Sequence, residues 1–277
     1  MNAPLSERDA IERLRAIVAQ LRDPAGGCPW DLRQTHATMT RYLIEEAYEV
    51  VEAIEAGDDD AIREELGDLL FQVVFHAQLA RERGAWDLDD VINGIADKMI
   101  ARHPHVFGED RGETDPEEVR QAWERHKRSA GRRVLDGVPR AMPALQRAQR
   151  LTAKAATVGF DWERAERVLL KVDEELDELK EAVAGGDLDA IEDELGDLLF
   201  VLTNLARKLD LQAERALRRT LGKFERRFNH IEDRLIAQGG SPAEASLEEM
   251  DALWEEAKAL ERGESPEAPR DPDDHLA

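Results

Sequence analysis

The seven-residue string ELGDLLF occurs twice in the chain, at 65–71 and at 194–200, which is an offset of 194 − 65 = 129 residues. The similarity extends beyond the string, because residues 45–71 align without a gap on residues 174–200. Weaker matches pair 98–102 with 223–227, and 123–127 with 254–258. The chain is therefore predicted to contain two tandem copies of one module.

Each module is expected to be helical. Apolar residues recur at helical spacing, and the Val/Ile/Thr alternation typical of strands is almost absent. The predicted fold class is all-α, with helices at 7–21, 39–56, 60–83, 88–102, 116–129, 143–155, 162–184, 188–208, 212–238 and 246–261. Gly57-Asp58 and Gly185-Gly186-Asp187 are expected to end one helix and cap the next. Similarly, the segment His103-Pro104-His105 is interpreted as a helix stop.

Four segments are predicted along the chain: an N-terminal helical module at 1–130, a linker at 131–143, a C-terminal helical module at 144–262 and a disordered acidic tail at 263–277. Two glycines and two prolines in 129–143 favour a linker there. The tail is rich in proline and acidic residues, a composition that favours disorder.

The formal charge of −23 argues against a nucleic-acid partner, since such proteins use Lys and Arg to neutralise phosphates. No apolar run approaches the ~20 residues that span a bilayer, and no charged-then-apolar leader opens the sequence. We therefore expect a soluble cytoplasmic protein without a membrane partner. Cys28 is the single cysteine, which excludes an intrachain disulfide and a Cys-rich metal site.

The repeated block carries Glu-x-x-Glu and then Glu-x-x-Asp. These acids are Glu46, Glu49, Glu65 and Asp68 in the first copy, and Glu175, Glu178, Glu194 and Asp197 in the second. Residues three apart share one face of a helix, and a short turn makes the two helices antiparallel neighbours. Four carboxylates can then meet, and their repulsion favours a hard cation among them. Oxygen-rich sites of this kind suit Mg²⁺, with Mn²⁺ as a substitute.

Solvation is the alternative for acids on helices, and we favour it for Glu45, Glu52, Glu55 and Glu181. It is weaker for Asp68 and Asp197, because Asp197 is flanked around the helix by Leu198, Phe200, Val201, Leu202 and Leu205. An acid on such a helix is costly to bury unless it is paired or binds metal. A di-iron bundle would use Glu-x-x-His pairs, which these positions do not supply.

Gly67 and Gly196 stand in the middle of predicted helices. A glycine there costs about 1 kcal/mol relative to alanine. Both copies nevertheless have glycine at this position, which suggests that another helix or a substrate approaches closely.

Basic and aromatic residues repeat with the acids. Lys223, Arg226 and Arg227 can present cations to phosphate oxygens, and Trp254 with Lys258 offers a stacking ring and one more cation. The first-copy counterparts are Lys98, Arg102, Trp123 and Lys127. Taken alone, the tryptophans are explained equally well as core residues, and the Lys and Arg residues as solvated or salt-bridged cations. Their recurrence beside the acids favours the functional interpretation.

These motifs together resemble the MazG family of nucleoside triphosphate pyrophosphohydrolases. The resemblance covers nearly the whole chain apart from the tail, and it also rests on GCPWD at 27–31, RHPHVF at 102–107, VGFDW at 158–162 and KFERR at 223–227. It implies an all-α homodimer that requires Mg²⁺ and hydrolyses NTPs to NMP and pyrophosphate.

The resemblance also implies roles for single residues. The family's metal ligands fall on Glu175, Glu178, Glu194 and Asp197, and its nucleotide-contacting segments on 171–175, the stretch before Glu194, 223–227 and Trp254. The candidate catalytic set is Glu174, Glu175, Glu178, Glu194 and Asp197, with Glu174 as a candidate proton acceptor. The candidate substrate-binding set is Lys171, Glu174, Glu175, Lys223, Arg226, Arg227, Trp254 and Lys258. Two-copy members are thought to act mainly through the C-terminal copy.

Three functions stay open at this point. The first is an NTP pyrophosphohydrolase, with broad base tolerance because a stacking ring does not read base edges, and a house-cleaning or nucleotide-pool role. The second is a pyrophosphatase with a narrower substrate such as dUTP. The third is a regulatory module that binds nucleotide, or a regulatory protein partner, without turnover, and this fits the first copy better than the second.

Overall fold

The computed structural model describes residues 9–108, 115 and 133–263. These residues form ten α-helices and no strand, so the predicted all-α fold class is confirmed. The predicted helix at 116–129, the tail after Gly263 and the first two residues of the predicted helix 7–21 lie outside the described residues. None of the described helices is long and apolar enough to cross a membrane.

The chain divides into two compact units, Met1–Pro116 and Glu117–Ala277. The first contains α1 (Ala10–Leu21), α2 (His36–Ala56), α3 (Asp59–Glu82), α4 (Leu88–Arg102) and α5 (Pro104–Phe107). The second contains α6 (Ala144–Ala156), α7 (Ala165–Gly185), α8 (Leu188–Lys208), α9 (Ala213–Ala237) and α10 (Leu247–Glu261). A single 3₁₀ turn, Asp31–Arg33, precedes α2.

Three helix starts differ from the prediction by three residues. Helix α1 begins at Ala10 rather than at 7, because Asp9 caps it by accepting a hydrogen bond from the Ile11 amide. Helix α2 begins at His36 rather than at 39, because Thr35 and Thr38 form a capping box that adds a turn before the first apolar residue. Helix α7 begins at Ala165 rather than at 162. Asp161 pairs with Arg207 and Lys208 of α8, which holds the segment before α7 against α8 in a non-helical path. In the first unit, α4 ends at Arg102, as predicted.

An antiparallel helical hairpin is the main feature of each unit, α2 with α3 and α7 with α8. Gly57 and Gly186 end the first helix of each pair in the left-handed conformation, with φ of 73° and 74°. A residue with a Cβ is strained there, which is why glycine stands at both turns. Asp58 and Asp187 then cap the second helix of each hairpin. The predicted Gly-Asp turns are therefore present in both copies.

An apolar cluster lies at the centre of the first unit. Helices α1 and α4 pack on α3, and the buried residues Val18, Met39, Val74, Phe75 and Leu88 form one cluster. This cluster fixes α3 against α2 and so sets the position of the residues that face outward from the hairpin.

The core of the second unit is more polar at the equivalent positions. With the offset of 129 residues, Val74 and Phe75 correspond to Thr203 and Asn204, which are both 1% exposed. Helices α6 and α9 pack on α8, and a separate apolar cluster of Ile231, Leu235 and Leu253 joins α9 to α10. The two hairpins therefore share their helices and turn, but the core residues on which they pack differ.

Candidate metal and nucleotide site

Three carboxylates meet on each hairpin. Glu46 and Glu49 of α2 lie beside Glu65 of α3 in what we call the first trio, and Glu175 and Glu178 of α7 lie beside Glu194 of α8 in the second trio. In each trio the residues offer one carboxylate oxygen apiece, and these oxygens lie within 4.8 Å of one another. The i, i+3 spacing and the short turn thus bring together three of the four acids predicted for each copy.

The fourth acid of each copy is placed differently. Asp68 and Asp197 are exposed and are not members of the trios. The sequence suggested that an acid on so apolar a helix would be buried, and this is wrong for the single chain. The reason is that apolar neighbours on the same helix are themselves exposed, including Leu66 at 48% and Leu195 at 46%.

The mid-helix glycines face open space. A Cβ added at Gly67 or Gly196 would meet no atom within 4 Å in the described part of the chain. The expected close approach of another helix is therefore wrong within the described chain, and the approach of a substrate stays a prediction.

In the first trio, burial and neighbouring carboxylates raise the pKa of two of the three glutamates. Burial raises the pKa of Glu46 most strongly, and the charges of Asp68 and Glu49 raise it further. Loss of hydration raises the pKa of Glu65, with Glu49 and Asp68 adding to the effect. Asp68 is therefore close enough to act electrostatically on the trio. Gln72 opposes the shift by donating from Nε2 to Glu46 Oε1 at 3.4 Å.

In the second trio a lysine offsets the crowding. Loss of hydration and then Glu175 raise the pKa of Glu178, whereas the charge of Lys171 lowers it. Lys171 Nζ lies 2.8 Å from Glu174 Oε1 and 2.8 Å from Glu175 Oε1. These two hydrogen bonds raise the pKa of Lys171, Glu174 contributing more than Glu175.

The donor set of each trio fits a hard divalent cation. It consists of carboxylate oxygens alone, which Mg²⁺ prefers. Burial, with neighbouring carboxylates, raises the pKa of Glu46, Glu65 and Glu178, so a cation would stabilise their ionised forms. In the first copy, Gln72 contacts the trio through Nε2, and its buried Oε1 has no hydrogen-bond partner among the described residues.

The predicted basic and aromatic residues of the second copy form a separate group on α9 and α10. Arg227 Nη2 lies 2.6 Å from Glu261 Oε2, and its guanidinium lies 5.3 Å from the centroid of the Trp254 ring. Arg226 also contacts Glu261, at 3.5 Å. Trp254 is half-buried against the α9–α10 cluster, with the Phe224 ring 5.5 Å away.

The two remaining cations of this set differ in their pairing. Lys258 Nζ lies 2.7 Å from Glu255 Oε1, whereas Lys223 is exposed on α9. Of the first-copy counterparts, Lys98 is exposed on α4, and Trp123 and Lys127 lie outside the described residues.

The family model of the MazG nucleotide pyrophosphohydrolase domain matches this chain twice, over residues 34–107 and 163–232. Each match contains one complete hairpin with its trio. The chain belongs to the MazG family. The two matched segments show that the MazG domain is present in tandem, as the repeat predicted.

Curated relatives support the assignment, two of them over almost their whole length. A nucleoside triphosphate pyrophosphohydrolase of Escherichia coli (strain K12) is 46% identical over 260 residues, which cover 91% of this chain and 98% of the relative. The nucleoside triphosphate pyrophosphohydrolase/pyrophosphatase MazG of Thermotoga maritima is 46% identical over 249 residues, covering 90% of this chain and 95% of the relative. A nucleoside triphosphate pyrophosphohydrolase of Mycobacterium tuberculosis is 39% identical over 165 residues, covering 58% of this chain and 49% of the relative.

The two MazG copies differ in the residues that contact their trios. Tyr42 of the first copy stands where the second has Lys171, and Gln72 stands where the second has Val201. Gln72 was not predicted from the sequence, although a polar residue in the apolar stripe of one copy only was a usable signal. Glu261 was not predicted as the partner of Arg226 and Arg227 either, since a contact between α9 and α10 cannot be found from spacing along one helix.

Proposed function

We propose that this MazG protein is a Mg²⁺-dependent nucleoside triphosphate pyrophosphohydrolase, which converts an NTP and water to NMP and pyrophosphate. The observation that carries the proposal is the second trio, a carboxylate cluster with a lysine at its edge, in a chain 46% identical to relatives named for this activity. Its acids supply the ligands, and its lysine supplies a phosphate-binding cation.

Glu175, Glu178 and Glu194 would hold Mg²⁺ together with Asp197, with Mn²⁺ as a substitute. When bound, the cation supplies Lewis-acid polarisation of the triphosphate and a coordinated water of lowered pKa. Glu174 is exposed beside Glu175 and is oriented by its contact with Lys171. We assign Glu174 as the candidate acceptor of the proton from the attacking water.

The cations of the second unit have the charge needed to bind the triphosphate. Lys171, Lys223, Arg226 and Arg227 would offset negative charge that develops on the phosphates, and Lys258 would add one further positive charge. Trp254 would contact the base by its ring face. Because every base has such a face, this contact predicts tolerance of several bases and ATP among the substrates. Such tolerance fits a house-cleaning or nucleotide-pool role better than a single dedicated substrate such as dUTP.

A homodimer is part of the proposal. In both copies the second hairpin helix carries an exposed stripe of large apolar residues at i, i+4 and i+7. The stripe consists of Leu66, Leu70 and Val73 in the first copy and Leu195, Leu199 and Leu202 in the second. Stripes of this spacing are normally covered by another helix. A second copy of the chain would cover them.

The test is pyrophosphate release from each NTP and dUTP with Mg²⁺, comparing the wild type with Glu178→Gln, Glu49→Gln and the double variant. We expect Glu178→Gln to reduce kcat/KM by at least about a hundredfold. Release that is absent from the wild type, or that survives the double substitution, would overturn the proposal. A wild type that hydrolyses dUTP alone would instead establish the narrow substrate.

For the first copy a regulatory role is the second candidate. It lacks a lysine at the position of Lys171, because Tyr42 stands there. Glu46→Ala with unchanged turnover but altered nucleotide binding would favour a nucleotide-sensing first copy, whereas a matching loss of turnover would favour two active copies.

A further inference from the structure

We infer that Lys171 is a resident cation of the second trio, which must move away before a divalent cation binds there, and that it thereby couples cation binding to nucleotide binding. The inference rests on the proposed function, because it concerns how that same site is loaded.

The ammonium of Lys171 already occupies the edge of the trio. It contacts Glu174 and Glu175 at 2.8 Å each, and Glu175 is among the three residues whose oxygens converge. The side chain of Glu175 is only 7% exposed, and that of Lys171 is 32% exposed. The pair is therefore shielded from water on one side, which makes its separation more costly than that of a solvated surface pair.

A divalent cation and this ammonium compete for one carboxylate. Mg²⁺ binds carboxylate oxygens at about 2.0–2.1 Å, so a lysine retained on Glu175 would leave two positive centres on neighbouring positions of one side chain. When the divalent ion takes Glu175 Oε1, the oxygen that holds the ammonium, its binding includes the release of Lys171. In the absence of nucleotide this release is uncompensated.

A triphosphate changes this balance. Its oxygens offer the released ammonium new charge-assisted hydrogen bonds, so the cost of leaving Glu175 is recovered when nucleotide and metal bind together. By linkage, each of the two ligands then raises the affinity for the other by the same factor. The second copy is expected to hold its metal weakly until nucleotide arrives.

The first copy provides an internal comparison. Its counterpart of Lys171 is Tyr42, and among the described residues no ammonium or guanidinium contacts the first trio. Arg41 instead stacks on the Tyr42 ring, 4.4 Å from its centroid. The first trio is therefore expected to bind a divalent cation without any requirement for nucleotide.

Mn²⁺ binding to the full-length protein, measured by electron paramagnetic resonance without nucleotide, tests the inference. The background is Glu46→Gln/Glu49→Gln, so that only the second trio remains. Into it we place Lys171→Met and, as the matched control, Lys180→Met. Lys180 lies on the same helix and pairs with Asp177 at 2.7 Å, away from the trio. Both substitutions remove one positive charge from α7.

We expect Lys171→Met to bind Mn²⁺ about fivefold or more tightly than the background, which corresponds to the loss of a competing ion pair, and Lys180→Met to stay within about twofold. Addition of adenosine 5′-(α,β-methylene)triphosphate should then raise Mn²⁺ affinity more in the background than in Lys171→Met. Circular dichroism establishes that each variant is folded.

Three results would overturn the inference: Mn²⁺ binding in Lys171→Met that is no tighter than in the background, equal gains in the two lysine variants, or no Mn²⁺ binding to the second trio in any variant. None of these measurements needs turnover. Failure of the inference is therefore separate from failure of the proposed function, which pyrophosphate release from the wild type decides.

Discussion

His36 and His76 meet edge to edge in the first unit, with ring centroids 5.0 Å apart and planes 4° from parallel. Their Nδ1 atoms are 2.7 Å apart, and Arg83 Nη2 lies 3.0 Å from His36 Nε2. Because a guanidinium can only donate, His36 Nε2 accepts, and His36 Nδ1 carries the proton that it donates to His76. Both rings are neutral in this arrangement, and Nε2 of His76 is buried without a hydrogen-bond partner among the described residues.

Acid is expected to destabilise the first unit through this pair. Burial, and secondarily the charge of His36, lower the pKa of His76, so the unfolded chain binds more protons than the folded one. The free energy of unfolding should therefore fall as pH drops below about 6.5, the ordinary value for histidine. Urea unfolding at pH 8, 7, 6 and 5 measures this. His76→Leu should flatten the dependence over that range, and an equally steep slope in the variant would contradict the assignment.

The buried guanidinium of Arg22 is expected to be a major source of stability in the first unit. It contacts Glu82 Oε2 at 2.6 Å, donates to the Asp31 carbonyl and lies 5.3 Å from the Phe75 ring centroid. Arg22→Met removes the cation from Glu82, which keeps only the hydrogen bond from Gln78, and leaves the Asp31 carbonyl without this donor, so it should cost about 2–4 kcal/mol in urea unfolding. The control is Arg63→Met, since the Arg63–Asp60 pair is exposed. A change within about 0.5 kcal/mol is expected there, and equal losses in the two variants would refute the prediction.

Glu261 is expected to restrain the arginines that we assign to phosphate binding. Its contacts with Arg227, and more weakly with Arg226, lower the pKa of Glu261, so it is ionised at neutral pH and competes with phosphate. Glu261→Gln should lower the KM for NTP by about two- to threefold, the value of an exposed ion pair. Asp60→Asn, which removes a partner of Arg63 in the first unit, is the control. A higher KM in Glu261→Gln would show that Glu261 positions the arginines for phosphate instead.

A charge on the apolar stripe should separate the proposed dimer. Leu199 is 46% exposed at the centre of the stripe formed with Leu195 and Leu202. Leu199→Lys should raise the dimer dissociation constant by at least about thirtyfold, the effect of losing a central interface residue. Sedimentation equilibrium measures the constant. Ile236→Lys changes an exposed residue of α9 outside the stripe and should leave the mass unchanged. A wild type that sediments as a monomer would exclude the dimer.

Features that depend on contacts between residues close in sequence were predicted correctly. Helix α8 was predicted at its observed bounds, Leu188–Lys208, because Gly186 and Asp187 terminate and cap neighbouring helices through short-range bonds. Three of the four acids predicted for each site come together for the same reason, since helical spacing and one tight turn determine where they meet.

Long-range contacts account for the misses. The start of α7 depends on Asp161 reaching Arg207 and Lys208 across 46 and 47 residues, which no local pattern encodes. The exposure of Asp68 and Asp197 depends on what covers the apolar stripes, and a stripe has the same sequence whether it is covered or not.

The unlike cores of the two units also protect the chain during folding. Tandem copies with matching helices and loops are prone to exchange segments between repeats. Here a hairpin docked in the wrong unit would set Asn204 where Phe75 is fully buried among Val18 and Met39. An amide left unpaired in that apolar setting costs about 1–3 kcal/mol, in addition to the volume it fails to fill. The difference between the core residues beneath the repeated carboxylates thus directs each hairpin to its own unit.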